Sequence, residues 1–199
     1  TPCPGEPLHI TQEAVVVPSP TLPAEAVSQA AHNNLDIAWF EDRLFLAYRT
    51  APSHFASAEA WLYIVSTTDH QTWRFEGAIN ESSDLREPRF LVMNGTLHLY
   101  YARLGADRFA FEPGVARRTT YVGPQSWTDA VDVFEDGFIP WRFKHRDGSA
   151  YLLGYTGGDT IYSDGASNLR VQWLRSADGL TWAPVVPGQP VVLEGGVSE

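Results

Sequence analysis

The sequence predicts an all-β fold, a β-propeller of four-stranded antiparallel blades, on three observations. Trp73, Trp127 and Trp182 stand 54 and 55 residues apart, each after a turn-forming stretch. Between them run short segments of alternating apolar and polar residues, punctuated by Asn94-Gly95, Asp147-Gly148 and Asp178-Gly179. No stretch of useful length carries a helical period. A strand-built repeat of about 50 residues is the signature of a propeller blade, and Asn-Gly and Asp-Gly are the strongest short hairpin signals. A β-sandwich with coincidentally spaced tryptophans is the competing reading.

The elements follow in order. Residues 1–31 hold six prolines and one apolar run, Ala14-Val15-Val16-Val17, which reads as an arm whose strand 13–17 closes the last blade. The propeller proper covers 32–199. Its first blade, about 32–80, takes strands 35–40, 44–49, 61–65 and 73–79. The second, about 84–134, takes 89–93, 97–102, 118–122 and 127–134. The third, about 137–190, takes 139–143, 151–155, 169–174 and 182–186. Residues 195–199 read as the start of a fourth. Closed propellers need at least four blades, so a second polypeptide, either the C-terminal half of a cleaved precursor or another copy of this chain, is expected to complete a five- or six-bladed ring.

Composition narrows the function classes. Apolar residues make up 44% and charged residues 19%, ordinary for a packed domain and wrong for a disordered chain. Aromatics reach 13% with seven Trp, which suits strands and sugar-facing surfaces. A net charge of −10 with 14 Lys and Arg argues against a nucleic-acid partner. No apolar run reaches the roughly 18 residues that a membrane helix needs. The first residue, Thr1 rather than Met, suggests a processed, secreted or periplasmic protein. Cys3 has no internal partner. The six His lack metal-ligand spacing, and the loop Gly157-Gly158-Asp159 to Asp164-Gly165 departs from the calcium-loop pattern, so it is weak ground for Ca²⁺ and no cofactor is expected.

The turn Ser176-Ala177-Asp178-Gly179-Leu180-Thr181-Trp182 resembles the Asp box of sialidases and other bacterial-neuraminidase-repeat propellers. Ser66, Asp69, Thr72 and Trp73 match it with one extra residue and no Gly, and the middle copy keeps Trp127 alone. The resemblance implies a fold-stabilising hairpin on the face away from the ligand, so it speaks to architecture rather than chemistry.

Propeller ligands sit where the innermost strands begin. Here those stretches are His32-Asn33-Asn34-Leu35-Asp36, Asp84-Leu85-Arg86-Glu87-Pro88-Arg89, Gly137 to Arg142, and Gly195 to Glu199. Arg86-Glu87-Pro88 resembles the Arg-Ile-Pro of sialidases, whose arginine binds the substrate carboxylate. It also resembles the Arg-Asp-Pro of five-bladed fructan- and arabinan-cleaving propellers, with Glu in the place of Ile or Asp. Glycoside chemistry needs carboxyl groups flanking the scissile bond, so Asp36, Glu87 and Glu199 are the candidate catalytic residues. His32, Asn34, Arg86, Trp141 and Arg142 are the candidate substrate-binding residues, with the two arginines able to clamp a carboxylate. Three functions compete. The first is a glycan-directed hydrolase. The second is a non-catalytic glycan- or protein-binding propeller, in which Arg86 and Arg142 neutralise Asp36 and Glu87. The third is a proteolytically matured two-chain hydrolase of other chemistry, cut either by an external protease or by itself.

Overall fold

The computed structural model describes residues 13–110, 112–157 and 168–195, and all regular structure within them is β. Glu199, Cys3 and most of the loop proposed for calcium lie outside those residues. The strands form three antiparallel sheets in chain order. Sheet 1 is β1 (Ala31–Phe40), β2 (Arg43–Ala51), β3 (Trp61–Thr67) and β4 (Arg74–Ile79). Sheet 2 is β5 (Leu85–Met93), β6 (Thr96–Arg103), β7 (Ala116–Gly123) and β8 (Ser126–Trp127), with β9 (Val131–Val133) also paired to β7. Sheet 3 is β10 (Ile139–Arg146), β11 (Ser149–Thr156), β12 (Arg170–Ser176) and β13 (Ala183–Pro184), with β14 (Val191–Glu194) also paired to β12.

Two of these sheets depart from four simple strands. The outer strand expected over 127–134 is two pieces, because Thr128 turns its backbone and hydroxyl onto Thr119 and Thr120 instead of continuing the ladder. The outer strand expected over 182–186 stops at Pro184, and pairing resumes at Val191 after a turn holding Pro187, Gly188 (φ 75°) and Pro190. Proline donates nothing to a ladder, so the strand breaks where prolines cluster. Residues 191–194, which lie between the blade expected over about 137–190 and the start expected at 195, are a strand of sheet 3. Gly195 donates to Leu169 O beside β12, and the rest of the 195–199 stretch lies outside the described residues. The arm is corrected too. Residues 13–30 form no strand, and Val16, Val17, Leu22 and Ala26 pack as irregular chain over Leu46, Tyr63, Val65 and Trp73 on the free face of sheet 1.

The sheets stack face to face. Ala38, Phe40, Phe45, Ile64, Phe90, Leu97, Leu99, Tyr101 and Tyr121 fill the space between sheets 1 and 2. Leu91, Met93, Tyr100, Phe138, Phe143 and Leu152 fill that between sheets 2 and 3. Alternate residues of β6 serve opposite layers, which is why it is buried almost throughout. The tryptophans mark the stacking. Trp127 lies over Gly77 and donates its indole N–H to Glu76 O of sheet 1, and Trp182 packs with Tyr100 and Phe143 against sheet 2. Trp73, in sheet 1, is covered by the arm.

The turns explain the repeat and correct its alignment. Asp178 Oδ1 accepts from Leu180 N (2.8 Å) and Thr181 N (2.7 Å), while Ser176 Oγ accepts from Gly179 N (2.8 Å). In sheet 1, Asp69 Oδ1 accepts from Gln71 N (2.8 Å) and Thr72 N (2.7 Å), and Thr67 Oγ1 accepts from His70 N (2.9 Å). The copies are therefore the same length. Thr67, not Ser66, plays the hydroxyl part, and His70 (φ 60°) stands in the left-handed position that Gly179 (φ 77°) fills. Ser66 bonds Arg43 and Glu76 instead.

Candidate functional site

In each four-strand unit the chain enters on the innermost strand, so β1, β5 and β10 begin at one common end of the molecule, and the turns built on Asp69 and Asp178 lie at the other. All three inner strands carry a β-bulge at the same height: at Asn34 in β1, between Arg86 and Arg89 in β5, and at Trp141 in β10. A bulge re-aims a side chain and is enriched beside active sites. Asn34 (φ 45°) and Glu87 (φ 51°) hold left-handed backbone there. Asn tolerates that region, whereas for Glu it is uncommon and marks local strain held by the surroundings.

Arg89 joins the three bulges. Its Nη2 pairs with the Glu87 carboxylate, Nε donates to Trp141 O (2.6 Å), and Nη1 donates to Leu35 O (3.1 Å). The guanidinium also sits 5.6 Å over the Trp141 ring. Asn34 donates to the other oxygen of Glu87, so that carboxylate is held from two sides in a site where Glu87 is 6% exposed. Asp36, two residues along β1, accepts Phe90 N at 2.8 Å. Burial raises its carboxyl above the ordinary range, against the pull of the Phe90 N–H, Arg89 and Arg142. Arg142 is exposed and forms no ion pair among the described residues, and Trp141 stays 36% exposed over Tyr155.

The candidates thus divide. Asn34, Asp36, Glu87, Trp141 and Arg142 are brought together. Arg86 is not with them: it pairs with Asp84 Oδ2 (Nε, 2.6 Å) and donates to His54 O, so it is committed to protein groups instead of open as a carboxylate clamp. His32 lies on the free flank of sheet 1, in a cleft with Val15, Val16, Leu35 and Tyr48. Its Nε2, and Oδ1 of Asn34, are buried without a hydrogen-bond partner among the described residues. Glu199 is outside them. Arg89 is the residue that sequence reasoning missed. The signal was strand alternation: Arg86 and Glu87 are consecutive and point to opposite faces, while Asp84 with Arg86, and Glu87 with Arg89, share one. Among the described residues no group of three or more His, Cys, Asp or Glu side chains lies together as a metal site.

The described residues form three stacked antiparallel sheets whose inner strands bring their starts together around Arg89. No family model and no curated protein sequence matches the chain. Its fold is similar to that of a Penicillium chrysogenum α-L-arabinanase complexed with arabinobiose (TM-score 0.55, 16% identity, 79% of this chain and 51% of that one). It is also similar to a family 117 glycoside hydrolase of the marine bacterium Zobellia galactanivorans (TM-score 0.60, 14% identity, 84% and 58%). An endo-1,4-β-xylanase from Bacteroides thetaiotaomicron aligns as well (TM-score 0.51, 13% identity, 84% and 58%). The chain spans between half and three-fifths of the length of these neighbours. At such identities the likeness is one of fold.

Proposed function

We propose that this chain forms part of a β-propeller that hydrolyses a glycosidic bond at the end where β1, β5 and β10 begin. The observation that carries this reading is the convergence there of two unlike carboxyl groups. Burial raises the pKa of the Asp36 carboxyl, and the Glu87 carboxylate is paired with Arg89 and hydrogen-bonded by Asn34. Two carboxyls in contrasting environments are what glycoside cleavage requires, one to protonate the leaving oxygen and one to face the positive charge that develops on the sugar. Trp141 offers a ring face to a sugar, and the exposed Arg142 is the cation that would meet an acidic one. The neighbours of similar fold, which include an arabinanase and a xylanase, favour the same class of substrate.

Further sheets would complete the ring. Leu35, Ile37 and Trp39 on one flank, and Leu153, Trp173 and Leu193 on the other, present apolar side chains to solvent, at the faces where the next sheets of a propeller would stack. A second reading, a propeller that binds glycan without cleaving it, is favoured by the neutralisation of Glu87 by Arg89. Reducing-sugar release from a panel of arabinans, xylans, fructans and sialylated glycans separates the two. Hydrolysis that falls about 100-fold or more in both Asp36→Asn and Glu87→Gln supports the hydrolase. Binding without release supports the second reading, and neither binding nor release refutes both.

A further inference from the structure

The loop joining β2 to β3, residues 52–60, lies at the same end of sheet 1 as the start of β1. Three successive carbonyls in it are captured by two arginines. Arg49 donates from Nη1 to Ser53 O (3.4 Å) and from Nη2 to Phe55 O (3.1 Å), while Arg86 takes His54 O between them. Both arginines are anchored on one carboxylate, Arg49 Nε on Asp84 Oδ1 (2.8 Å) and Arg86 Nε on Asp84 Oδ2 (2.6 Å), and Arg49 and Asp84 are fully buried. A buried ion cluster brings little net stability compared with an apolar core. Its visible consequence here is that the backbone of residues 53–55 is pinned while the His54 and Phe55 side chains project to solvent, Phe55 being 64% exposed.

The ring of His54 is oriented as well. Asn33 Oδ1 accepts from Arg49 Nη1 (2.8 Å), which turns the Asn33 amide nitrogen toward His54 Nδ1 (3.2 Å). An amide nitrogen can only donate, so Nδ1 accepts and the neutral imidazole carries its proton on Nε2. Asn33 immediately precedes Asn34, whose side chain binds Glu87.

From this geometry we infer that His54 and Phe55 form a preorganised lip of the carbohydrate site, a contact that rests on the glycan reading above. A sugar ring packs on the open face of Phe55, and one of its oxygens accepts the Nε2–H of His54. Neither residue is part of the carboxyl pair. They set which sugar units are held next to it, and a loop fixed in advance loses little freedom on binding.

The test uses the full chain, with ¹⁵N-labelled histidine and tryptophan and with short arabino- and xylo-oligosaccharides as probes. Without ligand, the His54 ring resonances should report the Nε2–H tautomer. Asn33→Asp should convert it to Nδ1–H, because a carboxylate only accepts. A wild-type ring protonated on Nδ1, or an even mixture of tautomers, overturns the inference. On titration the Trp141 indole and the His54 ring should shift together. Phe55→Ala should weaken binding about tenfold, equivalent to about 1.4 kcal/mol, with Phe55→Tyr restoring it. A shift at Trp141 without one at His54, or undiminished affinity in Phe55→Ala, refutes the lip and leaves the glycan reading standing. No shift at either residue with any probe refutes both.

Discussion

Replacing Arg89 with Met is the most informative single perturbation of the cluster that joins β1, β5 and β10. The Arg89 side chain is 11% exposed and the Glu87 side chain 8%, and the hydrogen bonds of Arg89 tie β5 to the backbone of β1 at Leu35 and of β10 at Trp141. Met keeps much of the stem's packing but leaves Glu87 without the Arg89 charge in a buried site. Breaking a buried pair from one side costs about 3–5 kcal/mol. Glu87→Gln alone should cost less, about 1–3 kcal/mol, because Arg89 keeps its three carbonyl acceptors. The double variant has neither charge and should be more stable than the sum of the single losses predicts, with a coupling of about 2–3 kcal/mol. Urea unfolding of all four proteins at neutral pH, with m-values compared to exclude a change in unfolding cooperativity, measures the cycle. Additivity within about 0.5 kcal/mol would show that the pair is not a coupled unit, and the description of Arg89 as the hub of the three inner strands would fail.

Three more outcomes follow from the geometry. The Asp36 carboxyl is raised by burial, so its contribution favours the fold below the ordinary carboxylate pKa and is lost as pH rises through the raised value. Asp36→Asn, which can still accept from Phe90 N, should therefore match the wild type in acid and melt higher near neutrality, and a lower melting temperature at neutral pH contradicts this. Asp178 behaves oppositely: N–H groups of Thr181 and Leu180 depress its pKa, its support is present above the ordinary carboxylate value and lost as pH falls, and Asp178→Ala should flatten the acid limb of the melting profile. An unchanged acid limb counts against it. Gly154→Ala would place a methyl 2.2 Å from Phe138 Cζ and 2.8 Å from Ile139 O. Phe138 is itself buried against Phe134, so the change should cost at least about 1–3 kcal/mol, and a loss below about 0.5 kcal/mol in urea unfolding would show that the site relaxes freely.

Much of the architecture was legible in the residues. Tryptophan spacing and Asp-Gly turns located three sheets because both signals are local: a turn's hydrogen bonds close within four residues, and an alternating strand declares its faces whatever it packs against. The turn at 67–73 was misaligned by one residue because Thr67 and Ser66 are chemically equivalent candidates, and the choice lies in Ser66 being drawn to Glu76 across the sheet. The outer strands of sheets 2 and 3 were drawn too long where Thr128 and the 184–190 prolines interrupt pairing.

For the cluster around Arg89, residue order alone indicated which stretches supply it, since each inner strand must begin where the preceding sheet ends, and Asp36, Glu87 and Trp141 fall at those starts. It did not determine how the charges pair. Arg86, Arg89 and Arg49 are alike as sequence, and their partners depend on bulges that rotate Asn34, Glu87 and Trp141 toward one another from strands about 50 residues apart. Tertiary structure sent Arg89 to Glu87 and sent Arg49 and Arg86 to Asp84. It also placed His54 beside Asn33, a contact 21 residues distant in the chain. The physical reason is range: backbone periodicity acts over a few residues and can be read from them, whereas a buried charge takes whichever opposite charge the packed sheets bring within reach.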